Sequence, residues 1–85
     1  MRIAVFASHN GSNFQAIAEA CKSGEIKGEV AVLISNNEKS QAIARANNLG
    51  IQFLHISEEI EPNEQIRDTK ISSLLSENNC ELVVL

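Results

Sequence analysis

The stretch IAVFASHNGSNFQAI (residues 3–17) carries the signals for a strand, a loop and a helix in that order. Residues 3–7 form a continuous apolar run, which is typical of a strand covered on both faces. The following residues change to a helical period, with apolar side chains on one face at Phe14, Ile17, Ala18 and Cys21. This stretch therefore predicts a β-loop-α unit, with Gly24 ending the helix.

The rest of the chain repeats this alternation. Further strand-like runs occur at residues 30–34, 51–56 and 82–85. A second helix is predicted by the apolar stripe Ala42, Ala46 and Leu49, ended by Gly50. A third helix is predicted to begin near Pro62, with the stripe Ile71, Leu74 and Leu75.

The order β-α-β-α-β-α-β predicts a Rossmann-like α/β fold. Strands joined by helical crossovers are parallel, and right-handed crossovers place helices on both faces of an open sheet of about four strands. In the common doubly wound order the fourth strand lies beside the first, and more strands normally flank it. We therefore expect residues 1–85 to be a single incomplete domain whose fourth strand, near Leu85, exposes an apolar edge prone to self-association.

Composition excludes several classes of protein. Of 85 residues 44% are apolar, which is ordinary for a globular core, and the formal net charge is −4 with a pI near 5.0. Scattered basic residues and only three aromatic residues, all Phe, argue against nucleic acid as a partner. No secretion signal is recognisable and no apolar run approaches the roughly 20 residues that cross a bilayer, so we expect a cytoplasmic protein.

The loop after the first strand is the candidate ligand site, because ligands of open α/β sheets bind beyond the carboxyl ends of the strands. Gly11 allows a tight turn or a close approach, and the amides of Ser12 and Asn13 lie at a helix N-terminus, which favours phosphate. The alternative that needs no ligand is a capping box, in which the Ser12 side chain bonds to the backbone N–H of Gln15 and the Gln15 side chain bonds to that of Ser12. The residue pattern leaves both interpretations open.

A second polar loop follows the second strand, where Ser35 and Glu38 have capping-box spacing, and here capping is favoured. The two loops lack the three glycines and the acidic residue of a dinucleotide site, which disfavours a nicotinamide enzyme. His9 and His55 lack triad or metal partners in the sequence pattern and are interpreted as local hydrogen-bonding residues.

Metal and disulfide chemistry are not favoured by the remaining candidate residues. The acidic run at residues 58–61 is interpreted as a solvated loop rather than a metal site. Cys21 and Cys80 lie far apart without CxxC spacing, which is typical of small buried apolar residues in a reduced protein.

Taken together, the chain resembles the amino-terminal part of the phosphoribosylglycinamide formyltransferases, folate-dependent enzymes of purine (IMP) synthesis. The resemblance covers essentially all 85 residues and rests on SHNGSNFQAI (8–17), ISN (34–36), ARANNLGI (44–51) and ELVVL (81–85). The most specific part is Asn-Gly-Ser-Asn and its spacing to the Ser-Asn pair after the second strand.

The resemblance implies transfer of a formyl group from 10-formyltetrahydrofolate to glycinamide ribonucleotide, without a metal. It implies that Gly11, Ser12 and Asn13 hold the 5′-phosphate of the substrate. The catalytic Asn, His and Asp of the family, and most of the folate pocket, come from beyond strand four, so no catalytic residue is assigned and activity of this segment alone is not expected. The family often carries a folate-facing arginine early in the third helix; here Glu64 stands near that place and Arg67 follows one turn later.

Two alternatives accompany this interpretation. The first is a hydrolase like formyltetrahydrofolate deformylase, which has a related fold and a similar ISN sequence but does not typically show Asn-Gly-Ser-Asn after strand one. The second is a non-catalytic α/β module that binds nucleotides or sugar phosphates. Glycinamide ribonucleotide should stabilise the protein if the formyltransferase interpretation is correct, whereas stabilisation by a folate alone would contradict it.

Overall fold

The computed structural model describes residues 1–7, 11–37 and 39–84. Strands and helices alternate along the described chain as the sequence pattern predicts. The elements, in order, are β1 (Arg2–Phe6), α1 (Ser12–Ser23), β2 (Glu29–Ser35), α2 (Gln41–Leu49), β3 (Gln52–His55), α3 (Glu64–Glu77) and β4 (Leu82–Val84).

The four strands form one parallel sheet in the order β3-β2-β1-β4. β1 is central and pairs with β2 on one side and with β4 on the other, as predicted. The crossovers to β2 and β3 run away from β1 in one direction, and the crossover to β4 returns past it to the other side. The strand order therefore reverses at β1, which places the loop after β1 at the topological switch point.

Helices cover both faces of the sheet, which confirms the predicted layering. On one face, Phe14 of α1 and two alanines of α2, Ala42 and Ala46, pack with Ile3, Val5 and Leu33. On the other face, α3 lies over Ala4, Val32, Ile34 and Ile56 through its predicted stripe of Ile71, Leu74 and Leu75. The continuous apolar runs in β1 and β2 are thus explained, because successive side chains point to opposite buried faces.

Two details of the helices differ from the prediction. Leu49, the last residue of the predicted α2 stripe, is 36% exposed, because the helix ends there as Gly50 turns the chain into the left-handed region. α3 begins at Glu64 rather than near Pro62, because the Asn63 side chain accepts a hydrogen bond from the backbone N–H of Ile66 at 3.2 Å and caps the helix.

The edge of the sheet at β4 is apolar. Leu82 and Val83 are 44% and 42% exposed, and β4 pairs only with β1 among the strands that the structure describes. Leu85 lies outside the described residues. The predicted apolar edge is therefore present at β4, while its use in self-association stays a prediction.

Candidate functional site

The candidate site begins at the loop between β1 and α1. Gly11, Ser12 and Asn13 are described, whereas residues 8–10, which include His9, lie outside the described residues. The loop follows the carboxyl end of the central strand, at the point where the strand order reverses. This is the position at which open α/β sheets bind ligands.

Gly11 occupies a position that only glycine fills without strain. Its φ of 75° and ψ of 22° lie in the left-handed region, and its carbonyl accepts the first bond of α1 from the Gln15 N–H at 2.8 Å. A Cβ built on Gly11 would lie 2.6 Å from both the Cα and the Cβ of Ala42 in the first turn of α2. The glycine therefore permits a sharp turn and a close approach between the starts of α1 and α2.

Ser12 and Asn13 are the first two residues of α1, and both are exposed. The next residue, Phe14, is fully buried and fixes the start of the helix against the sheet. The first turn contains no acidic residue, so the positive end of the helix dipole is not offset by a carboxylate of that turn. The structure thus brings the three predicted residues together at an exposed, electropositive helix start; phosphate binding there stays a prediction.

The capping-box interpretation of this loop is wrong. Gly11 is the N-cap residue and α1 has no side-chain cap hydrogen bond, because Ser12 already lies inside the helix instead of in the extended conformation of a capping serine. The amide of Gln15 does not reach back: it donates to the Glu19 carboxylate at 2.8 Å, one turn further along.

The second polar loop also departs from its predicted capping box. Ser35 is the buried last residue of β2, and its hydroxyl accepts a hydrogen bond from the Asn37 N–H at 3.2 Å and donates to the Asn37 carbonyl at 3.1 Å. α2 is capped instead by Ser40, whose hydroxyl accepts from the Ala42 N–H at 3.1 Å. Glu38 lies outside the described residues. In the sequence, the signal for the true cap is Ser40, two residues before the apolar stripe of α2 begins at Ala42.

A separate cleft of about 960 Å³ opens on the α3 face, beyond the carboxyl ends of β1, β2 and β3. Its floor is apolar, and its rim carries polar groups and charges of both signs: Asn36, Asn37, Lys39, His55, Ser57, Glu58, Glu59, Arg67 and Asp68. Gly11, Ser12 and Asn13 are not among the residues that line it. The structure therefore has two adjacent features at this end of the sheet, the helix start and the cleft.

Arg67, rather than Glu64, faces this cleft. The Arg67 Nη1 donates to the carbonyls of Glu61 and Pro62, at 2.7 and 3.1 Å, and so holds the loop that precedes α3. Glu64 is the exposed first residue of α3 and does not line the cleft. Arg67 follows Glu64 by three residues, which places it about 4.5 Å further along the axis of α3.

The remaining residues considered in the sequence are His55, the acidic run at residues 58–61 and the two cysteines. His55 ends β3 opposite Ser35 and lines the cleft. In the acidic run, the Glu61 carboxylate accepts from the Asn63 N–H at 3.3 Å and lies 3.9 Å from the Lys70 Nζ, and the residues described contain no group of three potential metal ligands. Cys21 and Cys80 are partly buried free thiols that pack on opposite faces of the sheet.

Comparison with known proteins decides the family. The family model described as formyl transferase matches residues 1–85. The chain belongs to the formyl transferase family. Within the described part of this family member, no helix combines the length and apolar character needed to cross a membrane.

Individual relatives carry more specific names. The chain is 47% identical over 51 residues to phosphoribosylglycinamide formyltransferase of Escherichia coli, covering 60% of this chain and 24% of that protein. It is 33% identical over 85 residues to the Haemophilus influenzae enzyme of the same name, covering 99% of this chain and 40% of that protein. The chain therefore spans a quarter to two fifths of the length of these relatives.

Solved structures share the fold closely. Glycinamide ribonucleotide transformylase 1 from Symbiobacterium toebii superposes with a TM-score of 0.89 at 34% identity, covering 98% of this chain and 39% of that one. The corresponding protein from Geobacillus kaustophilus gives a TM-score of 0.91 at 30% identity, covering 96% of this chain and 44% of that one. These matches confirm the α/β architecture and the formyltransferase resemblance.

Proposed function

We propose that residues 1–85 form the substrate-phosphate-binding part of a phosphoribosylglycinamide formyltransferase. Such an enzyme transfers a formyl group from 10-formyltetrahydrofolate to the amino group of glycinamide ribonucleotide in purine synthesis. In this proposal Gly11, Ser12 and Asn13 hold the 5′-phosphate. The observation that carries it is the exposed start of α1, where a left-handed glycine precedes a serine and an asparagine in a first turn without acidic residues.

The chemistry of this helix start suits a phosphate group. Backbone N–H groups in the first turn of a helix point out of its end, and the helix dipole adds a partial positive charge there. The Ser12 hydroxyl and the Asn13 amide are exposed beside those N–H groups and are able to donate to phosphate oxygens. Hydrogen bonds to an ionised phosphate are about twice as strong as neutral ones, so a few of them suffice to orient the substrate.

The cleft on the α3 face is proposed to receive part of the folate cosubstrate. It opens at the same end of the sheet as the helix start, and its apolar floor with a polar rim suits a planar heterocycle bearing polar groups. Arg67 is the proposed contact on its wall, because the nitrogens other than Nη1 remain for a ligand after Nη1 binds the two loop carbonyls. No metal takes part in this proposal.

The division of labour follows from what these elements can do. A phosphate anchor and a cleft supply binding and orientation, whereas formyl transfer also needs a general acid–base and stabilisation of the developing oxyanion. We assign no catalytic residue within residues 1–85 and expect these residues alone to bind substrate without turning it over. Cytoplasmic location is proposed only for this chain, since some plant relatives are named chloroplastic.

The decisive experiment adds a negative charge at the helix start by Asn13→Asp. A like charge about 4 Å from a phosphate costs about 1 kcal/mol in water and about 4 kcal/mol near a protein surface, so the affinity should fall about fivefold or more. The same substitution complements the helix dipole and should leave folding stability unchanged or slightly raised. Isothermal titration with glycinamide ribonucleotide and urea unfolding measure the two effects separately.

Gln65→Asp is the matched control, because Gln65 is the exposed second residue of α3 just as Asn13 is of α1. It adds the same charge at the same helical position on the other face of the sheet, and binding should change less than about twofold. Equal losses in both variants, or none in Asn13→Asp, would contradict the phosphate site. A chain that binds 10-formyltetrahydrofolate but not the ribonucleotide would favour a deformylase. Equal binding of inorganic phosphate, ribose 5-phosphate and glycinamide ribonucleotide would favour a non-catalytic module.

A further inference from the structure

The start of α2 lies in direct contact with the proposed phosphate anchor. The position that a Gly11 side chain would occupy is 2.6 Å from the Cα and the Cβ of Ala42 and 3.2 Å from its backbone nitrogen. Adding one C–C bond length places the Gly11 Cα within about 4 Å of those two carbons. No space for a further atom exists between the two residues.

Ala42 is itself held firmly in place. Its side chain is fully buried in the core cluster that includes Phe14 and Leu33, and its N–H donates to the buried Ser40 hydroxyl at 3.1 Å. α2 is thus fixed by its own cap and by the sheet beneath it. The contact with Gly11 is therefore between two rigid elements, and neither is able to move aside without disturbing the core.

We infer that Ala42 is a positioning residue. By contacting Gly11 it fixes the position of the Ser12 and Asn13 amides, which bind the substrate phosphate in the first turn of α1. This inference rests on the proposed function, because it specifies how that site is held. A larger residue at position 42 is expected to displace the start of α1, because Ala42 is fully buried and lies directly against Gly11. The size of residue 42 thereby controls the affinity for phosphate without touching the ligand.

The test compares Ala42→Val with Ala46→Val. Ala46 lies one turn further along α2, is equally buried and belongs to the same core cluster, but does not supply the contact with Gly11. Both substitutions add the same two carbons to a full core and lower stability to a similar extent. Both variants are titrated with glycinamide ribonucleotide at a temperature where both are folded. In Ala42→Val the affinity should fall at least about tenfold, because one hydrogen bond to the charged phosphate is lost. Ala46→Val should change it less than about twofold.

Amide chemical shifts of the ligand-free protein supply a second readout. The amides of Ser12 and Asn13 should shift in Ala42→Val and not in Ala46→Val, whereas Ala42→Gly should keep both the shifts and the affinity. If Ala42→Val does not fold, Ala42→Ser, which adds a single atom, is measured in the same way and should give a smaller change in the same direction.

The outcomes separate the inference from the function on which it rests. A wild-type chain that does not bind the ribonucleotide refutes the proposed function, and the amide shifts then still decide whether residue 42 positions the helix start. Wild-type binding with equal affinities, or equal losses, in Ala42→Val and Ala46→Val overturns the inference and leaves the function standing.

Discussion

Replacing Gly11 by alanine tests the geometry of the helix start most directly. The substitution adds one methyl group at a residue with φ of 75°, where non-glycine residues are strained. That methyl group would also fall 2.6 Å from the Cα and the Cβ of Ala42, closer than carbon atoms approach without displacement. Two separate costs are therefore expected from a single added carbon.

The two costs can be sized separately. The left-handed conformation costs about 1–2 kcal/mol for a residue with a Cβ. Overpacking of a rigid contact costs typically about 1–3 kcal/mol, and here part of the contact is backbone, which cannot rotate away. Gly11→Ala should therefore lower the free energy of unfolding by about 2–5 kcal/mol, a large share of the roughly 5–15 kcal/mol of an ordinary domain.

Gly50→Ala is the matched control for the backbone cost. Gly50 ends α2 with φ of 70° and ψ of 27°, close to the values at Gly11, but its side-chain position meets no atom within 4 Å. It should lose about 1–2 kcal/mol, so the difference between the two variants isolates the contact with Ala42. Urea unfolding followed by circular dichroism gives both values.

The double variant Gly11→Ala with Ala42→Gly refines the same measurement. It removes the clash with the Ala42 Cβ and leaves the clash with its Cα, so it should recover only part of the packing cost. Equal destabilisation by Gly11→Ala and Gly50→Ala would refute the reasoning, because the close approach would then carry no energy.

Three further predictions concern a cap, a thiol and the sheet edge. Ser40→Ala should lower the free energy of unfolding in urea by about 1 kcal/mol, because the buried N–H of Ala42 loses its cap, and no change would contradict the cap. Burial raises the pKa of the Cys80 thiol from its ordinary value near 9, and the Arg2 charge lowers it by less. The folded state therefore binds this proton more tightly than the unfolded state, and the resulting contribution to the free energy of unfolding is complete below about pH 9 and is lost as the pH rises further. Cys80→Ala should remove this part of the alkaline loss of stability, measured by urea unfolding at several pH values. The exposed apolar β4 should make the chain self-associate at high concentration in sedimentation runs, and Val83→Lys should shift it toward monomer; a wild-type chain that stays monomeric would speak against pairing at this edge.

The sequence by itself determined the architecture of this protein and the place of its candidate site. Apolar runs and helical stripes recur in one order, and parallel strands with right-handed crossovers leave few arrangements for that order. The loop around Gly11 followed from the same pattern, since the carboxyl end of the first strand is where such sheets bind ligands. These signals are local, because each extends over a turn of helix or a few residues of strand. They can therefore be recognised from the sequence alone.

Only the tertiary structure decided the contacts made between elements. The approach of Gly11 to Ala42 joins residues far apart in the sequence, and it arises because α1 and α2 cross the same face of the sheet. The helix starts also depended on packing: with Phe14 buried as the third residue of α1, Ser12 became a helical residue instead of a cap. Arg67 lines the cleft and Glu64 does not, which depends on where α3 lies on the sheet. Side-chain direction and close contact depend on where rigid elements meet, and no short-range pattern encodes that.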